Sequence, residues 1–199
     1  MRIRCIALDL DRTTLNSEGH LSERNRRAIE RAISSGIQIA VASGRSLDSL
    51  PGEVLEIPGI RYAITSNGAA VYDLKGKICL RQYKLKAEAV RDILRETEGE
   101  DVTFEAFIDG KPYAEKAYVG DPVRFGAMPR SIPYIQGTRE PTEDMRSFIR
   151  EHEGELDCID VVVKSEEHKR KLWKTLEKQA KDVYITSSVK QLLEISDVN

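Results

Sequence analysis

A chain of 199 residues, 40% of them hydrophobic, is long enough for one large domain or two small ones and can fill real cores. Its 31 basic and 33 acidic residues are interspersed and leave a net charge of -2, so neither a basic face for nucleic acid nor a polybasic segment for a membrane surface is expected. No apolar stretch approaches the length of a membrane span, and Asp9 arrives too early for a signal peptide, which predicts a cytoplasmic protein.

The chain opens with an apolar run (Ile3, Cys5, Ile6, Ala7, Leu8) that reads as a buried strand of a parallel sheet and ends in Asp9 and Asp11, followed by Thr13. Ser22 is placed to start a helix whose apolar stripe is Ala28, Ile29, Ala32 and Ile33, with Gly36 as its stop. Residues 36–42 (GIQIAVA) predict a second buried strand ending in Ser43, Gly44 and Arg45, and residues 62–64 a third, ending in Thr65, Ser66, Asn67 and Gly68. Strand, helix, strand order implies right-handed parallel crossovers, which gather these polar strand ends on one side of the sheet.

Near residue 70 the pattern changes. Residues 70–73 and 77–80 flank Gly76 as the arms of a hairpin, and a second domain is expected from here on. Leu85, Ala89, Val90, Ile93 and Leu94 make a helical face, then Val102, Phe104, Ala106 and Ile108 alternate up to an Asp109-Gly110 hairpin turn. Pro122, Pro129, Pro133 and Pro141 punctuate a stretch without periodicity, which predicts a long irregular connection. A helix with Met145, Phe148 and Ile149 inward stops at Gly154, a strand covers residues 159–163, and a further helix carries Leu172, Trp173, Leu176 and Ala180. Residues 183–185 and 189–195 predict a closing antiparallel pair.

Cys5, Cys79 and Cys158 lack any paired spacing, which argues against a disulfide framework or a zinc site and predicts buried thiols. His20, His152 and His168 show no ligand spacing, and no Gly-rich phosphate loop is present, so dinucleotide binding loses its usual signal. The chemistry-bearing feature is the acid pair. Two positions apart on an extended chain, Asp9 and Asp11 lean the same way into the crevice beyond the strand ends, where ligands bind in open α/β sheets. Carboxylates this close resist joint ionisation unless a cation lies between them, and magnesium is the natural partner. One acid can then act as nucleophile while the other serves the leaving group.

Three ordered signatures resemble the haloacid dehalogenase superfamily phosphatases, and the Cof-type branch in particular. They are Asp9-Leu10-Asp11-Arg12-Thr13, Ala42-Ser43-Gly44-Arg45 and Ile64-Thr65-Ser66-Asn67-Gly68-Ala69. The resemblance implies a parallel Rossmann-like α/β core over residues 1–80, incomplete in this chain, and an inserted α+β cap with an antiparallel sheet over residues 81–196. Residues 197–199 would begin the return to the core. It assigns the nucleophile to Asp9, the acid and base to Asp11, and a phosphoryl hydrogen bond to Ser43. Magnesium would bind Asp9 and the backbone carbonyl of Asp11, Gly44 and Asn67 would shape the phosphate and substrate pocket, and Arg45 would reach a substrate phosphate with both prongs or else form a surface salt bridge. The activity implied is magnesium-dependent hydrolysis of a small phosphorylated metabolite through an aspartyl-phosphate.

Two departures qualify it. Arg12 stands where the family has glycine, tolerable as an exposed residue if the backbone there avoids positive φ. The family's later lysine and acidic magnesium ligands find no match after Leu193-Glu194-Ile195, so the given chain is expected to be a truncated product with the first strand's edge bare. That edge would suit a homodimer or a complementing chain. A non-catalytic module holding a phosphorylated ligand or a partner chain is therefore the alternative, and a phosphoacceptor signalling domain is a third reading, disfavoured by the antiparallel second half.

Overall fold

The structure, a computed structural model, describes residues 3–199 and divides into two compact units, Met1–Gln82 and Tyr83–Asn199. The first holds a five-stranded sheet in the order β1 (Cys5–Asp9), β2 (Gln38–Ala42), β3 (Ile60–Thr65), β4 (Ala70–Asp73), β5 (Ile78–Gln82). β1, β2 and β3 run parallel, whereas β4 and β5 are antiparallel additions. The crossover from β1 is helix α1 (Glu23–Ser34), started by the Ser22 hydroxyl, which accepts from the Asn25 N–H at 3.2 Å. It stops at Gly36 (φ +79°), whose N–H reaches the Ile33 carbonyl, so β2 begins at residue 38 rather than 36. A short helix, α2 (Gly52–Leu55), lies before β3. Leu10, Ile29, Val41, Val54, Ile57 and Ala63 fill the core beneath the sheet.

The hairpin expected to open the second domain instead extends the first sheet, because β4 pairs with β3 from Tyr62 to Thr65. The expectation of buried thiols also needs correction. Cys5 and Cys79 are exposed and only Cys158 is buried, since β1 and β5 are the two edges of their sheet.

The helices of the second unit are α3 (Ala87–Glu96), α4 (Lys116–Gly120), α5 (Ile132–Thr138), α6 (Met145–Glu151) and α7 (Glu166–Gln179). Its strands are β6 (Val102–Ile108), β7 (Lys111–Glu115), β8 (Glu140–Thr142), β9 (Leu156–Val163), β10 (Val183–Thr186) and β11 (Leu192–Asp197), arranged β10-β11-β9-β6-β7-β8. All neighbours are antiparallel except β7 and β8. Asp109 and Gly110, at φ +50° and +81°, make the expected turn between β6 and β7. One face of the sheet packs Phe104, Ile159 and Ile195 against Ile93, Ile149 and Leu176 of the helices. None of the helices among the described residues is long and apolar enough to cross a membrane.

The proline-rich stretch is not an irregular connection. Pro122, Pro129 and Pro133 each stand in the first turn of a short helix, where the missing N–H costs nothing, and Pro141 lies in the brief strand β8. The folded segment sets Tyr118, Val119, Ala127 and Ile135 against Val162 on the other face of the sheet.

That second face carries a row of acids. Glu105 on β6 lies opposite Asp160 on β9, which lies opposite Glu194 on β11, and all three are buried. Arg139 answers the first, its Nε and Nη2 2.7 and 2.6 Å from Glu105 Oε2. It is sandwiched between the rings of Tyr134 and Phe107. Glu194 accepts from the Ser188 N–H and hydroxyl. Burial, then the charges of Glu194 and Glu105, push the Asp160 carboxyl well above the usual carboxylate range.

Asp160 is thus neutral in the folded chain at pH values where the unfolded chain ionises it. Its contribution is complete below about pH 4, the unfolded value, and drains away as the pH climbs toward the raised folded value. Asp160→Asn is therefore expected to match the parent near pH 4 and to exceed it at pH 8. The gap should widen by up to about 1.4 kcal/mol per pH unit within that window. Urea denaturation at pH 4, 6 and 8 checks this, and parallel pH profiles would rule it out.

Candidate active site

Beyond β1 the chain folds back on itself. Leu10 is fully buried between the exposed Asp9 and Asp11, so the strand's alternation continues one step past its end and both carboxylates reach the solvent side. The Thr13 hydroxyl donates to Asp9 Oδ2 at 2.5 Å, the Thr14 hydroxyl donates to the Asp9 carbonyl at 2.6 Å, and the Leu15 N–H closes on the Leu10 carbonyl at 2.8 Å. Two threonines thereby fix the first acid from both its side chain and its backbone. Arg12 does take a positive φ, +62°, so the condition on which an arginine would be strain-free is not met. Its Cβ costs about 1 kcal/mol there, and the side chain is exposed.

Asp9 is level with Ala42 on β2, and Ala42 with Ile64 on β3, so the three strand ends arrive side by side. Ser43 follows, 8% exposed, its N–H bonded to the Ile64 carbonyl at 3.0 Å. Its hydroxyl oxygen accepts the Arg45 N–H at 3.2 Å, which leaves the hydroxyl hydrogen for another acceptor.

Arg45, expected to reach substrate phosphate or the surface, is in this structure committed to Asp11. Its Nε and Nη2 meet Asp11 Oδ2 and Oδ1 at 2.9 and 2.7 Å, a two-pronged fork, and Nη1 reaches the Ser49 carbonyl at 3.1 Å. Both side-chain oxygens of Asp11 are thereby engaged. Gly44 and Asn67 also come together: a Cβ built on Gly44 would lie 2.7 Å from Asn67 Oδ1. The positions quoted in the three signatures therefore converge in two linked sets, Asp9 with its threonines and Asp11 with Arg45, Ser43, Gly44 and Asn67. Sequence reasoning missed the Arg45 fork and the threonine clasp. Only the Thr13-Thr14 pair beside the acids offered a local signal.

Residues 6–199 match the haloacid dehalogenase-like hydrolase family. Among curated proteins, a 5-amino-6-(5-phospho-D-ribitylamino)uracil phosphatase of Bacillus subtilis is 32% identical over 109 residues, 54% of this chain and 36% of that protein. A second phosphatase of the same organism is 33% identical over 112 residues, 56% of this chain and 39% of the relative. The chain therefore spans well under half the length of the curated relatives it matches. A solved haloacid dehalogenase-like hydrolase from B. subtilis superposes with a TM-score of 0.77 at 23% identity, over 98% of this chain and 74% of that one. A Thermotoga maritima structure does so at 0.73 and 23%, over 100% and 70%. With a family match running from the first strand through the second sheet, this chain belongs to the haloacid dehalogenase-like hydrolases.

Proposed function

We propose that the protein is a phosphatase of small phosphorylated metabolites that works with magnesium and forms an aspartyl-phosphate on Asp9. The observation that carries this reading is the strand-end constellation: a clasped Asp9, an Asp11 oriented by a forked Arg45, and Ser43 on the neighbouring strand. The phosphatase names of two B. subtilis relatives support it, one of which acts on a phosphorylated ribityl compound.

A carboxylate oxygen of Asp9 attacks phosphorus and the bond from phosphorus to the substrate oxygen breaks. For this step one Asp11 oxygen leaves the Arg45 fork and carries a proton, which it gives to the departing alkoxide. Water then attacks the same phosphorus while Asp11 takes its proton, inorganic phosphate leaves, and the Asp9 carboxylate is restored. The Ser43 hydroxyl donates to a phosphoryl oxygen and steadies the charge that moves there. Magnesium, when bound, supplies positive charge beside the acid and the phosphoryl oxygens. The Asp9 carboxylate and the Asp11 backbone carbonyl would hold it, while the Asp11 side chain serves Arg45 and the proton transfer. Two protein oxygens suit an ion that keeps several of its waters.

Phosphate release from p-nitrophenyl phosphate, measured with magnesium and with a chelator, tests the reading. The expected result is turnover that drops at least about 10²-fold on chelation. A folded chain that binds inorganic phosphate but releases none would assign the non-catalytic alternative, and one that does neither would overturn both.

A further inference from the structure

The four residues that join β3 to β4 follow an expensive path. Ser66, Asn67 and Gly68 all occupy the left-handed region, at φ +50°, +56° and +100°, although only the last is a glycine. Hairpin connections of this length are usually built on a right-handed turn, so hairpin closure does not demand it. Ser66 is also wholly buried, and its hydroxyl, like that of Thr65, has no hydrogen-bond partner among the described residues. Local chemistry offers no return for this conformation. Strain of this kind persists where the surroundings over-determine it, and it concentrates at functional sites.

The path is explained by what it touches. The Ile64 carbonyl holds the Ser43 N–H at 3.0 Å, and the Ser66 N–H holds the Arg45 carbonyl at 2.9 Å. Between them the Asn67 carboxamide fills the space where Gly44 would otherwise carry a side chain. Gly44 itself has no positive φ, so it is glycine for room and not for backbone freedom. Residues 64–67 thereby grip Ser43, Gly44 and Arg45 in succession, and Arg45 passes the constraint to Asp11 through its fork.

We propose that Asn67 is a positioning residue that acts through Gly44: its carboxamide packs on the glycine backbone and fixes the Ser43-Gly44-Arg45 segment, and with it Ser43 and Asp11. Its chemical role rests on the phosphatase reading above, whereas the packing relation stands by itself.

A double-mutant cycle on the full chain tests it. Asn67→Gly keeps the left-handed turn and empties the space, and should lower kcat on p-nitrophenyl phosphate about 10-fold with little change in KM. Gly44→Ala alone drives a methyl into the carboxamide and should lower Tm by about 4–8 °C as well as kcat. In Gly44→Ala/Asn67→Gly the methyl takes the vacated space. Both Tm and kcat should rise above those of Gly44→Ala, a non-additivity that a pair not in contact does not give. A higher KM in Asn67→Gly, with no recovery in the double variant, would mean Asn67 binds phosphate directly; it overturns the proposal and leaves the phosphatase reading intact. Should the parent chain neither bind nor release phosphate, the phosphatase reading falls and hydrogen exchange decides the packing relation. Asn67→Gly is expected to speed exchange at the Ser43 and Ser66 amides at least about 10-fold, and unchanged protection overturns the proposal.

Discussion

Asp9→Asn is expected to reduce phosphate release from an aryl phosphate to background, a fall of at least about 10³-fold relative to the parent chain. The substitution is nearly isosteric, and the amide oxygen can still accept from the Thr13 hydroxyl while the Thr14 hydroxyl keeps the backbone carbonyl. The turn therefore survives, and the melting temperature should stay within a few degrees of the parent. What disappears, on the mechanism proposed above, is the anionic oxygen that would attack phosphorus. A neutral amide at that position cannot form the acyl-phosphate. Equal turnover in a folded Asp9→Asn variant would sink the mechanism.

Arg139→Met is the substitution expected to cost the most stability, about 3–5 kcal/mol, or a Tm lower by roughly 10 °C or more. The guanidinium is the partner of Glu105, whose side chain is 1% exposed, and Glu105 lies in a row with two further acids. Methionine can fill the slot between Tyr134 and Phe107 but brings no charge, so Glu105 remains buried beside Asp160 and Glu194 without a counterion. The loss comes from that stranded carboxylate rather than from the strength of the pair. Glu105→Met/Arg139→Met should accordingly recover part of the stability, and urea denaturation of the parent, the single and the double variants measures it. A double variant less stable than Arg139→Met alone would contradict this account.

The elements that local rules govern were legible in the sequence. The Ser22 start of α1, the Asp109-Gly110 turn and the apolar stripe of α7 depend on neighbours within a few residues, and the structure has each in place. The strand ends bearing Asp9, Ser43 and Asn67 were legible because a short apolar run bounded by polar residues has few other readings. What escaped depends on distant partners. The Arg45 fork joins residues 34 apart, and nothing near Arg45 distinguishes it from a surface arginine. The hairpin of β4 and β5 looked like a new beginning because hairpin signals do not say which sheet receives them. The segment from α4 to α5 looked irregular because proline marks a helix's first turn as readily as a loop, and its helices are too short to display a period. The exposure of Cys5 and Cys79 follows from the order of strands, which alternation along one strand does not encode.

The acidic row on the second sheet has a consequence for folding. β9 is buried along its whole length, and its run Val161-Val162-Val163 offers nearly the same surface at each step, so apolar packing alone would tolerate β6 sliding along it. A slip by one residue turns every side chain to the opposite face. Glu105 would then enter the layer held by Ile93, Ile149 and Leu176, away from Arg139, while Phe104 would meet the guanidinium. The charged pair works as an index mark, alongside Asp157 at the start of the strand, which accepts from the Gly110 N–H and pairs with Lys84. The alignment that keeps Glu105 on Arg139 is favoured over its nearest misfolded neighbours, in exchange for stability that Asp160 gives up as the pH rises.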